Sequence, residues 1–222
     1  MGCNDMEKKV YDLLIESSAD VAPIMEETGN GSKQMFIEGI FAQAEVKNGN
    51  GRVYKRDVLE NAMEKYRNNY VSKNKALGEI NHPDYPFANQ KMAAIRVVEM
   101  RMDGNNVYGK ALVLNTPEGQ ILRGLLEGGY VTGVSTRGLG TIKEQGGVKY
   151  VQDNYMMTAV DCVDNPSAPE AIMNTVVEST KWTLNESTGV WVPVVKPEET
   201  DTVNEQLFLE KLESFLKSNR RK

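Results

Sequence analysis

Three glycine-containing turn sequences divide the middle of this chain and constrain its fold more than any other feature: Asn48-Gly49-Asn50-Gly51, Asp103-Gly104-Asn105 and Gln145-Gly146-Gly147. Glycine and asparagine take left-handed backbone angles at little cost, so such sequences reverse a chain between strands. Strand-forming residues flank each of them. Met35 to Val46 runs into the first; Ala93 to Arg101 and Val107 to Leu114 surround the second; Val131 to Ile142 and Val148 to Val163 surround the third. Aromatic and β-branched enrichment between reversals predicts an antiparallel β-sheet or barrel whose core begins at about Gln34.

Helical periodicity interrupts this pattern. Val58, Leu59, Ala62, Met63 and Tyr66 recur at helical spacing behind Asp57, which predicts an amphipathic helix over residues 57 to 70. Thr116-Pro117-Glu118 supplies an N-cap, a proline at the first helical position and an early acid ahead of Ile121, Leu122, Leu125 and Leu126, and Gly128-Gly129 stops that helix. Outside the core, Met6, Val10, Leu13 and Leu14 have helical spacing within residues 5 to 19, and Gly29-Asn30-Gly31-Ser32 follows as a flexible joint. Beyond Pro166-Ser167-Ala168-Pro169 and an apolar stretch at residues 171–177, the composition turns polar. Leu207, Phe208, Leu212, Phe215 and Leu216 then mark a second amphipathic segment. The expected organisation is an N-terminal arm over residues 1–32, a core domain over 33–180, a linker over 181–202 and a C-terminal amphipathic helix over 203–222.

Composition excludes several classes of function. With 222 residues and 40% hydrophobic content the chain can bury one substantial core. A formal charge of -5 argues against general nucleic-acid binding, which needs a concentrated basic face. Cys3 and Cys162 are too few and too far apart for a disulfide framework, and point to a reducing compartment. No apolar run has the length of a membrane span, and the N-terminus reads as too charged for a signal peptide. One histidine and two separated cysteines make a zinc site improbable, and neither a nucleotide loop nor a metal-ligand cluster is present, so no cofactor is expected.

The residues that carry chemistry are few. His82 is the only histidine, and Pro83 holds it away from helical backbone angles in a turn with Asn81, Asp84 and Pro86. Ser135 lies in Gly133-Val134-Ser135-Thr136-Arg137-Gly138-Leu139-Gly140, which is not the Gly-x-Ser-x-Gly nucleophile elbow. A hydroxyl attacks a carbonyl only when a base removes its proton, so a Ser-His enzyme here requires His82 as the base. Asp161, inside the apolar run Thr158 to Val163, needs a donor if that strand is buried, and a protonated imidazole is one. Glu79 and Asp164 are rival orienters, and Asp161 capping a turn or facing solvent is the simpler reading. Cys162 as nucleophile is a further alternative, although a cysteine in an apolar strand is more often inert packing.

Four ordered motifs together carry a family resemblance: Ile37 to Val46, Ala76-Leu77-Gly78-Glu79-Ile80-Asn81-His82-Pro83, Gly133 to Gly140, and Val160-Asp161 with Pro166-Ser167-Ala168-Pro169. Over roughly residues 35 to 175 the chain resembles the prohead core proteases of T-even-type tailed bacteriophages, which are related in fold to the herpesvirus maturation protease. The resemblance implies an α+β fold, a mainly antiparallel β-barrel surrounded by helices, with the helical arms read above at each end. It implies Ser135 as nucleophile, His82 as general base and Asp161 in the strand of the third catalytic group. Backbone amides around Arg137 and Gly138, or in the Ser167-Ala168 segment, are candidates for stabilising the oxyanion; Arg137 can add charge, and Glu79 is a supporting residue. The implied partners are scaffold, core and capsid proteins inside a prohead in the host cytoplasm, and a homo-oligomer is allowed. The family commonly cleaves after Glu in an Ile/Leu-x-Glu context, which makes Glu16 and Glu186 self-cleavage candidates and the chain a zymogen with removable ends. A non-catalytic scaffold component keeping the protease fold is the alternative.

Overall fold

All three sequence reversals are turns in the structure, with left-handed backbone at Gly51, Gly104, Gly146 and Gly147. This computed structural model describes residues 9–18, 21–27, 33–164 and 181–194. In chain order its elements are β1 (Val10–Ser18), β2 (Val21–Glu27), β3 (Lys33–Gln43), β4 (Arg52–Val53), α1 (Arg56–Tyr66), β5 (Leu77–Glu79), β6 (Ala93–Asp103) and β7 (Asn106–Val113). They continue with α2 (Pro117–Glu127), β8 (Gly133–Gly140), β9 (Ile142–Gln145), β10 (Val148–Val151), β11 (Met156–Val163), β12 (Lys181–Asn185) and β13 (Val190–Pro193). A π-helical turn, Arg67–Val71, extends α1.

The described residues form two five-stranded sheets, in the orders β11-β8-β1-β12-β13 and β2-β3-β7-β6-β5, and a three-stranded sheet β4-β10-β9. The two large sheets meet along one seam, where Ile80 bridges Cys162 and the Asn81 amide donates to Cys162 O at 2.8 Å. Gly78 permits that approach, because a Cβ there would lie 1.8 Å from Val160 O. The outer edges, β2 and β13, do not pair with each other among the described residues, so the wall is a curled half-barrel and not the closed barrel expected.

Both predicted helices form where their patterns place them. In α1, Val58, Leu59, Ala62, Met63 and Tyr66 are buried, and the carboxylate of Glu45 accepts from the Arg56 amide at 2.7 Å, serving the N-terminus that Lys55 leaves uncapped. In α2, Thr116 Oγ1 accepts from the Gly119 amide at 3.1 Å. The predicted 131–142 and 148–163 strands are each broken. Asn154 Oδ1 accepts from the amide and hydroxyl of Thr141, which ends β8 and turns the chain, so β9 and β10 peel away to join β4.

Two expectations are corrected. Residues 10–18 are not a helical arm but β1, which pairs with β8 over Asp12 to Ser18 and with β12 over Val10 to Asp12. Leu13, Leu14 and Ile15 are buried on both faces of the sheet, and such a continuous apolar run obscures the period-two signature of a strand. Residues 181–193 of the expected linker form the β12–β13 hairpin, with Trp182 buried and Tyr11 packed edge-on against Trp191. The C-terminal helix expected over 203–222 lies outside the described residues.

Side-chain alternation gives the β1–β8–β11 sheet two different faces. On one, Leu14, Val134, Val160 and Cys162 join the large core with α1 and the second sheet. On the other, Leu13, Ile15, Leu139 and Trp182 form a smaller cluster closed over by Tyr85 and Phe87. Ser135, Arg137 and Asp161 belong to this second face by register.

Candidate active site

Ser135 sits mid-strand in β8 with Ser17 of β1 opposite it on one side and Asp161 of β11 on the other. Directly opposed residues in antiparallel strands hold their Cβ atoms about 4.5–5.5 Å apart on one face, so the sheet itself places the hydroxyl beside the carboxylate. His82 arrives from the seam. Asn81 takes a left-handed φ of 63°, which a short polar side chain tolerates, and its amide is tied to Cys162 O. That turn brings His82 Nδ1 to 3.4 Å from Asp161 Oδ2. The expected trio therefore converges from β5, β8 and β11.

The site is closed to solvent: Ser135 and Asp161 have no exposed surface, and the His82 side chain is 8% exposed. Among the described residues, Ser135 Oγ and both ring nitrogens of His82 have no hydrogen-bond partner. Catalytic hydrogen bonds commonly tighten only when substrate is bound, so unused donors and acceptors at this spot are compatible with chemistry.

Arg137, two residues beyond Ser135 on the same face, is fully buried and held by its guanidinium. Nε lies 2.9 Å from Asp161 Oδ2, Nη2 donates to Asp161 Oδ1 at 3.0 Å, and Nη1 donates to Tyr85 O at 2.5 Å. Glu79 Oε1 stands 3.4 Å from Nη2. Glu79 also accepts from the Tyr85 hydroxyl at 2.7 Å and from the Asn89 amide at 2.8 Å, so this buried carboxylate latches the 83–89 loop. Burial and the bond to Glu79 push the Tyr85 phenol up to about 12. Asp161 Oδ1 accepts from the Glu79 amide at 2.9 Å, tying β5 to β11 beside the histidine.

The remaining candidates fall elsewhere. Arg137, considered for the oxyanion, has its guanidinium committed to two carboxylates and a carbonyl. Gly138 lies within the ladder between Leu14 and Met157, packed on the Tyr155 ring. The Ser167-Ala168 segment lies outside the described residues. Asp164 pairs with the Tyr130 hydroxyl. Cys162 faces the large core, on the opposite face of the sheet from Ser135 and Asp161, and burial pushes its thiol far above the usual range, which argues against it as a nucleophile. Among the described residues no cluster of three or more His, Cys, Asp or Glu could hold a metal ion, and no helix is long and apolar enough to cross a membrane.

The two self-cleavage candidates differ sharply. Glu186 is exposed in the β12–β13 turn. Glu16 is buried in β1, its carboxylate gripped by Arg52 Nε and Asn48 Nδ2 and by Tyr54 Oη and Asn50 Nδ2 at 3.1 Å. Sequence reasoning missed this grip and the clamp of Arg137 on Asp161. The arginines gave no signal, because both pairings are long-range and join residues whose proximity the fold alone creates.

Residues 14–181 match the family described as prohead core protein serine protease. The chain belongs to that family. It is 41% identical over 141 residues to the prohead core protein protease of Enterobacteria phage T4, an alignment covering 62% of this chain and 66% of that protein. Its fold is similar to the solved structure of the bacteriophage T4 capsid assembly protease, gp21, with a TM-score of 0.66 and 34% identity. That similarity covers 70% of this chain and 99% of the solved one. The prohead protease family match begins at Leu14, inside β1, so the second half of the strand read from sequence as part of an arm falls within the family's own extent.

Proposed function

We propose that the chain is a serine endopeptidase of prohead maturation that cleaves scaffold and capsid proteins after Glu in Ile/Leu-x-Glu contexts. The observation that carries the reading is the row Ser135–Asp161 with His82 Nδ1 at 3.4 Å from the Asp161 carboxylate. In the proposed mechanism His82 Nε2 takes the proton of Ser135 Oγ as that oxygen attacks the scissile carbonyl. Asp161, against Nδ1, fixes the tautomer and stabilises the imidazolium. The imidazolium then gives its proton to the leaving amine, an acyl-enzyme remains on Ser135, and water activated by the same histidine releases it. With the Arg137 guanidinium committed to Asp161, Glu79 and Tyr85 O, the proposed oxyanion donors are backbone amides, around Arg137 and Gly138 or in the Ser167-Ala168 segment, which lies outside the described residues.

Closure of the site supports a latent form: substrate reaches Ser135 only after the chain covering it moves. Exposure of the β12–β13 turn supports self-cleavage at Glu186. Cleavage at Glu16 requires β1 to leave the sheet first, because the strand's carbonyls lie in the sheet plane while the Ser135 side chain stands out of it. The complete burial of Ser135 also suits the second reading, a core component that works by binding.

The test compares the parent chain with Ser135→Ala by intact mass over time, in the presence of a peptide containing Leu-x-Glu. Peptide cleavage and loss of the segment beyond Glu186 in the parent alone support the protease. Cleavage that persists in Ser135→Ala contradicts the assignment of Ser135, and stable masses with an uncut peptide favour the binding component.

A further inference from the structure

Four ionisable groups are packed together where one catalytic pair was expected, and their charges do not cancel. Glu79 and Asp161 are carboxylates, Arg137 is a guanidinium that proteins do not deprotonate, and His82 is the fourth. All but His82 are at most 3% exposed. With neutral imidazole the cluster holds one net negative charge, and with imidazolium it holds none. Arg137 Nε and His82 Nδ1 converge on the same atom, Asp161 Oδ2, at 2.9 and 3.4 Å. An Arg137 answered only by Asp161 would neutralise the carboxylate that the imidazolium needs. Glu79 Oε1, 3.4 Å from Nη2, the nitrogen that also donates to Asp161 Oδ1, supplies the second charge.

We propose that Glu79 and Arg137 form a charge-balancing pair that leaves the site one negative charge for the imidazolium of His82, making Glu79 a positioning residue that acts through Arg137. The proposal rests on Ser135 and His82 being nucleophile and base.

Among the described residues, the other ionisable groups facing this cluster leave the balance unchanged. Cys162 on β11 and Tyr66 on α1, which lies within the electrostatic reach of Asp161 and Arg137, stay neutral because burial pushes both far up. Tyr85 from the loop stays neutral below about 12. Asp84, beside His82 in sequence, is exposed and screened by solvent. The Glu79 carboxylate holds the 83–89 loop at Tyr85 and Asn89, so one residue joins the loop's position to the charge of the site.

Removing one charge of either sign must then move the pH profile in opposite directions. With a Leu-x-Glu peptide as substrate, the acidic limb of kcat/KM moves down by roughly one pH unit in Glu79→Gln, because the imidazolium loses its counter-charge. In that variant kcat falls about tenfold with KM unchanged. The same limb moves up by roughly one unit in Arg137→Gln, returns close to the parent position in the double variant, and stays there in Arg137→Lys, which keeps the charge. A merely structural role lowers the folded fraction, read by circular dichroism, and leaves the limb in place. If Glu79→Gln does not fold, Arg137→Gln against Arg137→Lys carries the comparison, and coincident limbs overturn the proposal. Shifts in one direction for both Gln variants, or no shift, overturn it as well. Activity in Ser135→Ala instead removes the underlying assignment of the nucleophile, a failure distinguishable from the first.

Discussion

The β1–β8–β11 sheet carries a buried ion-pair network on each face, and the two are built to opposite rules. On the core side, Glu16 is answered by Arg52, Asn48, Asn50 and Tyr54, while Ile15 O accepts from Arg52 Nη2 at 2.8 Å and Asn50 Nδ2 at 2.7 Å. A buried charge is tolerated when hydrogen bonds satisfy it, and this network locks β1 to the loop ahead of α1. On the other side, Arg137 is ion-paired to Asp161 and Glu79, but among the described residues Ser135 Oγ and both His82 nitrogens have no hydrogen-bond partner. Unmet hydrogen-bonding capacity in a low-dielectric site costs stability and is available to a bound group.

Substitutions separate the two networks, and the largest effect is expected on activity. Ser135→Ala and His82→Ala each lower kcat by about 10⁴-fold or more and shift the unfolding midpoint little, as measured by peptide cleavage beside urea denaturation. Loss of stability with retained activity in either variant breaks the comparison. Glu16→Ala does the reverse. It leaves Arg52 buried without its carboxylate and destabilises the fold by about 3–5 kcal/mol, read as a lower denaturation midpoint, while the folded fraction keeps its kcat. Gly78→Ala acts on the seam between them: its Cβ must displace Val160 O, so both stability and activity fall, by about 2 kcal/mol or more in urea titration. Thr116→Ala, remote from both networks, costs about 1 kcal/mol through the lost cap of α2 and leaves kcat unchanged.

Alkaline titration sharpens the contrast at its mildest. The Tyr85 phenol ionises near 10 when unfolded and about 12 when folded, so the unfolded chain loses its proton first. The stability contributed by the neutral phenol is present below pH 10 and is lost as pH rises towards 12. Tyr85→Phe therefore flattens the fall in melting temperature across that interval. An unchanged slope indicates that the Glu79 latch contributes nothing to it.

Much of the fold was legible because local signals and tertiary structure agree. The turn at Asp103-Gly104-Asn105, the cap at Thr116 and the apolar stripe of α1 are short-range features, and each lies where its residues predict. β1 was misread because Leu13, Leu14 and Ile15 face two cores at once, so no alternation reveals the strand. The β12–β13 hairpin was misread as linker although Trp182, Leu184, Val190, Trp191 and Val192 flank a turn ending in Gly189, because charged, proline-containing sequence follows it and only Trp182 is buried. At the candidate site, Ser135, His82 and Asp161, which the fold places together, were visible as the rare residue types suited to the proposed chemistry. The charge clamp was not, because Glu79, Arg137 and Asp161 are separated by tens of residues, and it takes both the β8–β11 pairing and the seam at Gly78 to bring them together.

The most direct test of the central claim is covalent trapping. The parent chain is incubated with a fluorophosphonate, digested and mapped by mass spectrometry, with His82→Ala alongside. The account predicts one phosphonyl adduct, on the peptide bearing Ser135, that disappears in His82→Ala. An adduct on Ser17 or another residue, or an unlabelled Ser135 in a preparation that cuts the Leu-x-Glu peptide, would contradict it.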